Sequence, residues 1–153
     1  MNVGLICSRK PVTVAPGADV VAAARLMREQ HVGFLVVVES LAGRSAGPVG
    51  VLTDRDIATA VVATEVEPHS IAVRDVMRTH PLLVAEDASI ESALREMREI
   101  GVRRVPVVNA QGQLSGVLSL DDVIDELAEQ LADIAGSIRK GQRVERQTRP
   151  TIS

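Results

Sequence analysis

The sequence predicts an α+β fold built from tandem β-α-β-β-α repeats related by pseudo-twofold symmetry. Three observations carry that prediction. Thirteen of the 36 positions from 3 to 38 are identical to the residue 70 further on, without a gap, among them Pro11 and Pro81, Val14 and Val84, and Met27 and Met97. The stretch Gly50-Val-Leu-Thr-Asp-Arg-Asp56 returns as Gly116-Val-Leu-Ser-Leu-Asp-Asp122, so the offset falls to 66 and the first copy carries four extra residues. Between these landmarks, short aliphatic runs alternate with segments of helical period.

Each element has its own local reason. Residues 12–15 and 82–85 are short apolar runs that read as strands, followed by the turns Pro16-Gly17 and Glu86-Asp87. Asp19 and Ser89, at matched positions, are N-caps for helices over 20–30 and 90–100. Val20, Ala23, Ala24 and Met27 in the first helix, and Ile90, Ala93, Leu94 and Met97 in the second, share one face, leaving Arg28, Glu29, Arg98 and Glu99 to solvent. Apolar runs at 34–38 and 105–108 then lead through loops to strands at 49–52 and 114–118. The extra residues fall in a Gly/Ser/Ala-rich loop over 40–48, and Gly112 marks the hairpin turn of the second copy. Each copy closes with a helix, over 54–62 and 121–135. The division that follows is residues 1–66 for the first repeat, 67–130 for the second, and 131–153 for the end of the last helix and a basic tail. Residues 138–153, with five basic residues against Glu145 and with Gly141 and Pro150 as breakers, read as frayed or disordered.

One repeat of about 60 residues buries too little apolar surface to be comfortable alone. Two copies packed together share a core and leave a cleft at the pseudo-twofold axis.

Composition narrows the function. Of the 153 residues, 46% are apolar, almost all aliphatic, with one Phe and no Trp or Tyr, so a planar ligand has to be held by aliphatic side chains and backbone. The net charge of −3 argues against the whole body being a nucleic-acid surface. Cys7 has no second cysteine to pair with, which points to a reducing, cytoplasmic setting, and no apolar run approaches the roughly 20 residues of a membrane span. Cys7 falls opposite Met77 in the repeat, an apolar helical position, and reads as a packed thiol. His31, His69 and His80 are scattered and suggest no metal site.

The chemistry-bearing motif is the strand-to-helix turn Gly-x-x-[Thr/Ser]-x-x-Asp. Such a turn offers backbone N–H groups and a positive dipole end to a phosphate. Thr53 and Ser119 would add a hydroxyl, while Asp56 and Asp122 would accept from ribose hydroxyls. The same spacing is also a capping box, in which the hydroxyl and the acid satisfy the helix start reciprocally. Both readings stand at this level, since one hydroxyl can do both. No nucleophile with a base in reach is evident, and two symmetric acids do not make the asymmetric site an enzyme needs, so no catalytic residue is assigned.

Two such copies, each with Pro-x-x-Val, an apolar strand and Gly-Val-Leu-[Thr/Ser]-x-x-Asp, resemble a CBS-domain pair (a Bateman module) of the stand-alone bacterial kind, over roughly residues 3–130. The resemblance implies an adenosyl regulator, namely AMP, ADP, ATP or S-adenosylmethionine, bound in clefts between the repeats, with no cofactor required for chemistry. Residue by residue it implies Thr13, Phe34, Leu35, Val36, Thr53 and Asp56 in the first copy, and Leu83, Arg104, Val105, Pro106, Ser119 and Asp122 in the second. Leu83 stands where the family usually has a hydroxyl, and Arg55 supplies a cation where the second copy has Leu120, so the two sites are expected to be unequal. Of the adjacent Arg103 and Arg104, strand alternation lets only one face the cleft, and Arg104 matches the family position.

The function implied is an adenine-nucleotide sensor without catalytic activity, acting on a separate target protein as a homodimer. The last helix carries Val123, Ile124, Leu127, Leu131 and Ile134 on one stripe that extends the interface. A second reading is a constitutive dimerisation and interaction module whose ligand sites no longer work. A third, nucleic-acid binding through the basic residues 139–149, predicts weak and steeply salt-dependent affinity.

Overall fold

The computed structural model describes residues 1–41 and 44–149, with the side chains of 41–46 left aside. The expected centre of the inserted loop, Ala42-Gly43, and the last residues, 150–153, lie outside the described residues. The chain divides into two compact units, residues 1–119 and 120–153.

The larger unit holds two sheets. The first has strand order β1-β2-β3-β4, from β1 (Thr13–Val14), β2 (Phe34–Leu41), β3 (Arg44–Thr53) and β4 (Arg78–Thr79). The second has order β5-β6-β7, from β5 (Val84–Ala85), β6 (Arg104–Val108) and β7 (Leu114–Ser119). The repeat is preserved in the pairing register: Val14 pairs in parallel with Val37 as Val84 does with Val107, and Phe34 opposes Thr53 as Arg104 opposes Ser119. The loop expected over 40–48 is shorter than predicted, because β2 runs to Leu41 and β3 resumes at Arg44.

The helices α2 (Val20–Gln30) and α5 (Ile90–Ile100) cover the residues that periodicity assigns to them. Asp19 Oδ1 accepts from Ala22 N–H at 2.7 Å, and Ser89 Oγ accepts from Ser92 N–H at 3.1 Å, so both caps form. Both helices end in a left-handed residue, Gly101 (φ 78°) in the second copy and His31 (φ 55°) in the first. The equivalent amides close the same turn, from His31 to the Met27 carbonyl and from Gly101 to that of Met97. Ala23, Met27, Leu35, Val37, Leu52 and Val73 form the core of the first lobe.

Val73 belongs to α4 (Val73–Val76), after the first repeat has ended, and its presence in that core reveals a feature not visible in the repeat pattern. The segment that leads into each repeat is built onto the other repeat. Val73 N–H donates to Ala18 O at 2.8 Å, and β4 pairs with β3 through Gly50–Thr79 and Val51–Arg78. Reciprocally, Val3 in α1 (Val3–Ile6) donates to Ala88 O at 2.9 Å, and Ser8 and Val117 exchange both backbone hydrogen bonds at 2.9 and 3.0 Å. The first sheet thus gains a fourth strand that the predicted three-stranded unit lacks. The division at 66/67 follows the chain, while the lobes interleave.

This exchange explains the motif glycines. A Cβ on Gly50 would lie 2.6 Å from Met77 Sδ and 2.9 Å from Arg78 O, and one on Gly116 would lie 2.5 Å from Ser8 O and 2.9 Å from Cys7 Sγ. Each glycine makes room for the crossing segment of the other repeat. Cys7 is accordingly buried.

After Thr53 the chain enters α3 (Asp54–Ile57), which continues as a π-helical stretch, Ala58–Val62, and a 3-10 turn follows at Pro68–Ser70.

The second unit is α6, Leu120–Thr148. It continues well past residue 135, where the sequence reading ended it, and the expected frayed tail is helical up to Thr148. Gly136 and Gly141 each cost about 1 kcal/mol relative to Ala, but Arg, Lys, Gln and Glu around them are good helix formers. Acidic residues in its first half and basic ones in its second also match the helix dipole. Among the described residues no helix is long and apolar enough to cross a membrane.

Candidate functional site

The Thr53 turn is a completed capping box. Thr53 Oγ1 accepts from Asp56 N–H at 3.1 Å, and Asp56 Oδ2 accepts from Thr53 N–H at 2.9 Å. Asp54 N–H donates to Gly33 O at 3.0 Å, and Arg55 N–H donates to Asp54 Oδ1 at 2.8 Å. Every amide from 53 to 56 is therefore satisfied within the protein. The expectation that this turn offers free N–H groups to a phosphate does not hold in the first copy, because two carboxylates, the Thr53 hydroxyl and the Gly33 carbonyl occupy the donors first. Asp56 also accepts at Oδ1 from Arg78 Nε at 3.3 Å, with its side chain 13% exposed. A carboxylate has about four acceptor positions, so a further hydroxyl can still be taken.

The cationic groups lie beside this turn. A cleft of about 460 Å³ is lined by Gly33, Phe34, Val51, Thr53, Asp54, Arg55, Arg78, Gly101, Val102, Arg103 and Arg104. That volume is in the range of small-molecule sites. An adjoining recess of about 150 Å³ shares Val51, Arg78, Val102 and Arg104 with it and adds Thr79, His80, Pro81, Leu82, Ile100, Val105 and Pro106. Four arginines and one acidic residue, Asp54, line the larger cleft, while the smaller recess is mainly aliphatic.

Both Arg103 and Arg104 line the larger cleft, which corrects the expectation that alternation admits only one. The strand β6 begins at Arg104, so Arg103 sits in the preceding bend, where the two-residue period does not apply.

The predicted site residues divide as follows. Phe34, Thr53 and Arg55 from the first copy meet Arg104, Val105 and Pro106 from the second around the joined recesses. Leu83 lines a neighbouring depression with Pro48, Val49, Thr79, His80 and Pro81. Thr13 is exposed on β1 and lines none of these recesses. Leu35 and Val36 are fully buried, and the Val36 N–H is committed to Val12 O at 3.0 Å. Ser119 is half-buried at the end of β7, and Asp122 lies in the first turn of α6. Arg78 was not singled out by sequence, since it falls at the junction of the repeats opposite Ser8 and matches no motif. A lone basic residue just before Pro81 was the only available signal. Among the described residues no group of three or more His, Cys, Asp or Glu is placed to hold a metal ion.

The CBS domain family profile matches residues 3–63 and 73–129. An uncharacterised protein of Methanopyrus kandleri is 30% identical over 142 residues, covering 93% of this chain and 70% of that one. Hypoxic response protein 1 of Mycobacterium tuberculosis is 33% identical over 129 residues, covering 84% and 82%. The crystal structure of CBSX2 in complex with AMP superposes with a TM-score of 0.68 at 28% identity, covering 86% of this chain and 98% of that one. Two profile matches on two structural repeats, each ending its β-hairpin at the Gly-Val-Leu-[Thr/Ser] strand, make this chain a member of the CBS domain family.

Proposed function

We propose that this protein is a regulatory module that binds an adenine nucleotide and passes its occupancy to a separate target protein, without chemistry of its own. The observation that carries the reading is the convergence of Arg55, Arg78, Arg103 and Arg104 on one cleft beside the aliphatic walls Val102, Val105 and Pro106. Guanidinium forks take phosphate oxygens, and aliphatic walls take the faces of a purine. Because the helix-start amides are already used, the phosphate would rest on side chains. Asp56 lines neither recess and would act on the ligand through Arg78, which it holds. A relative crystallised with AMP supports the ligand class. Leu83 and Ser119 belong to a second, unequal site in this reading, and the assembly is a cytoplasmic homodimer.

The test is isothermal titration of AMP, ADP, ATP, S-adenosylmethionine and NAD into nucleotide-free protein, with light scattering for mass. Micromolar binding of one of them, weakened in Arg103→Ala and Arg104→Ala, is the expected result. A flat titration on folded protein overturns the sensor reading. It would favour the constitutive interaction module, which the self-contained Thr53–Asp56 capping box supports.

A further inference from the structure

We infer that α6 pairs antiparallel with the α6 of a second copy of this chain. Ile124, Leu127, Leu131, Ile134 and Ile138 recur at alternating steps of three and four, the seam of a two-stranded coil. All five side chains are half or more exposed, and Leu131 reaches 66%. The stripe extends for about 20 Å at 1.5 Å per residue, too long a row of exposed Ile and Leu to be scattered surface hydrophobes.

Charge selects the occupant and its direction. Residues 121–133 contain six acidic residues and no Lys or Arg, whereas residues 139–149 contain five basic residues and only Glu145 as an acid. Parallel pairing would set acidic half on acidic half and basic half on basic half. Antiparallel pairing sets each acidic half beside a basic one, and a second copy supplies that complement by symmetry. With Leu127 opposite Ile138 and Leu131 opposite Ile134 of the second copy, Asp125 and Glu126 come beside Arg139 and Lys140 of the other helix. Ala128, Ala135 and Ser137 flank the seam and let the two backbones approach closely.

The inference rests on the homodimer part of the reading above, and its test separates the two. Cys7 is buried and stays in place. The double variant Leu127→Cys/Ile138→Cys, oxidised and run on a non-reducing gel, is expected to give a covalent dimer, whereas Leu127→Cys alone is expected to give none. Within one helix these positions are about 16 Å apart, which rules out an internal bridge. Leu131→Asp is expected to reduce the mass by half in light scattering. Efficient cross-linking of Leu127→Cys alone would mean parallel pairing and overturn the inference. A dimer that survives Leu131→Asp and does not cross-link would overturn it while leaving the homodimer standing. A wild-type monomer would overturn both.

Discussion

Arg78 Nε donates to Asp56 Oδ1 at 3.3 Å, tying the segment that enters the second repeat to the motif acid of the first. The two residues have separable duties. Arg78 is more than half exposed, and an ion pair of that kind contributes about 0–1 kcal/mol. Asp56 also closes the capping box, so Asp56→Ala is expected to lower stability by about 1 kcal/mol in urea denaturation, and Arg78→Ala by less. In nucleotide titration, Arg78→Ala is expected to weaken binding about tenfold through a lost charge-assisted hydrogen bond.

The motif glycines should behave as packing residues. Gly50→Ala and Gly116→Ala each press a methyl onto the backbone of a crossing segment, at Arg78 O and Ser8 O. Each is expected to cost about 1–3 kcal/mol by chemical denaturation, the range of overpacked sites. If either is neutral, the glycine is not there for close approach.

The left-handed caps offer a stabilising change. His31 holds φ 55° where the second copy has Gly101. His31→Gly relieves the left-handed cost and is expected to raise stability by up to about 1 kcal/mol, seen as a higher Tm by calorimetry. Gly101→Ala should move it the other way.

One pH dependence follows from α2. The Ala22 amide on Asp19 holds that carboxyl below its ordinary value of 3.8, and the charge of His69 acts in the same direction. A lowered folded value means that the stabilisation is present above 3.8 and is lost as the pH falls through the folded value. Between about pH 5 and pH 3 the wild type is therefore expected to lose more of its urea midpoint than Asp19→Asn, whose amide caps the helix without titrating.

Much of this was legible in the chain itself. Asp19 and Ser89 at one end and the apolar stripes along the face fix α2 and α5, because caps and period are local signals. The cleft was legible in part: Phe34, Thr53, Arg55 and Arg104 lie on it, while Leu35 and Val36 point their side chains into the interior. What the sequence could not show is which sheet a short segment joins. The repeat pattern assigns residues 1–8 and 71–78 to the repeat that follows each of them in sequence. Only tertiary hydrogen bonds, such as Ser8 with Val117, decide the matter. Arg78 was missed for that reason, and Arg103 because β6 begins one residue later than an alternation argument assumes.

The exchanged segments make the protein a natural candidate for fragment complementation. If the backbone were cut in residues 64–67, the N-terminal piece would carry α1, which completes the second lobe, and the C-terminal piece would carry α4 and β4, which complete the first. The N-terminal piece alone lacks β4 of the first sheet, and the C-terminal piece alone lacks the α1 segment that bonds to Ala88 and Val117, so each holds a part the other lacks. A protease nick there would leave two clasped halves that elute together, and the same two pieces fused to separate proteins would act as a reporter of their encounter.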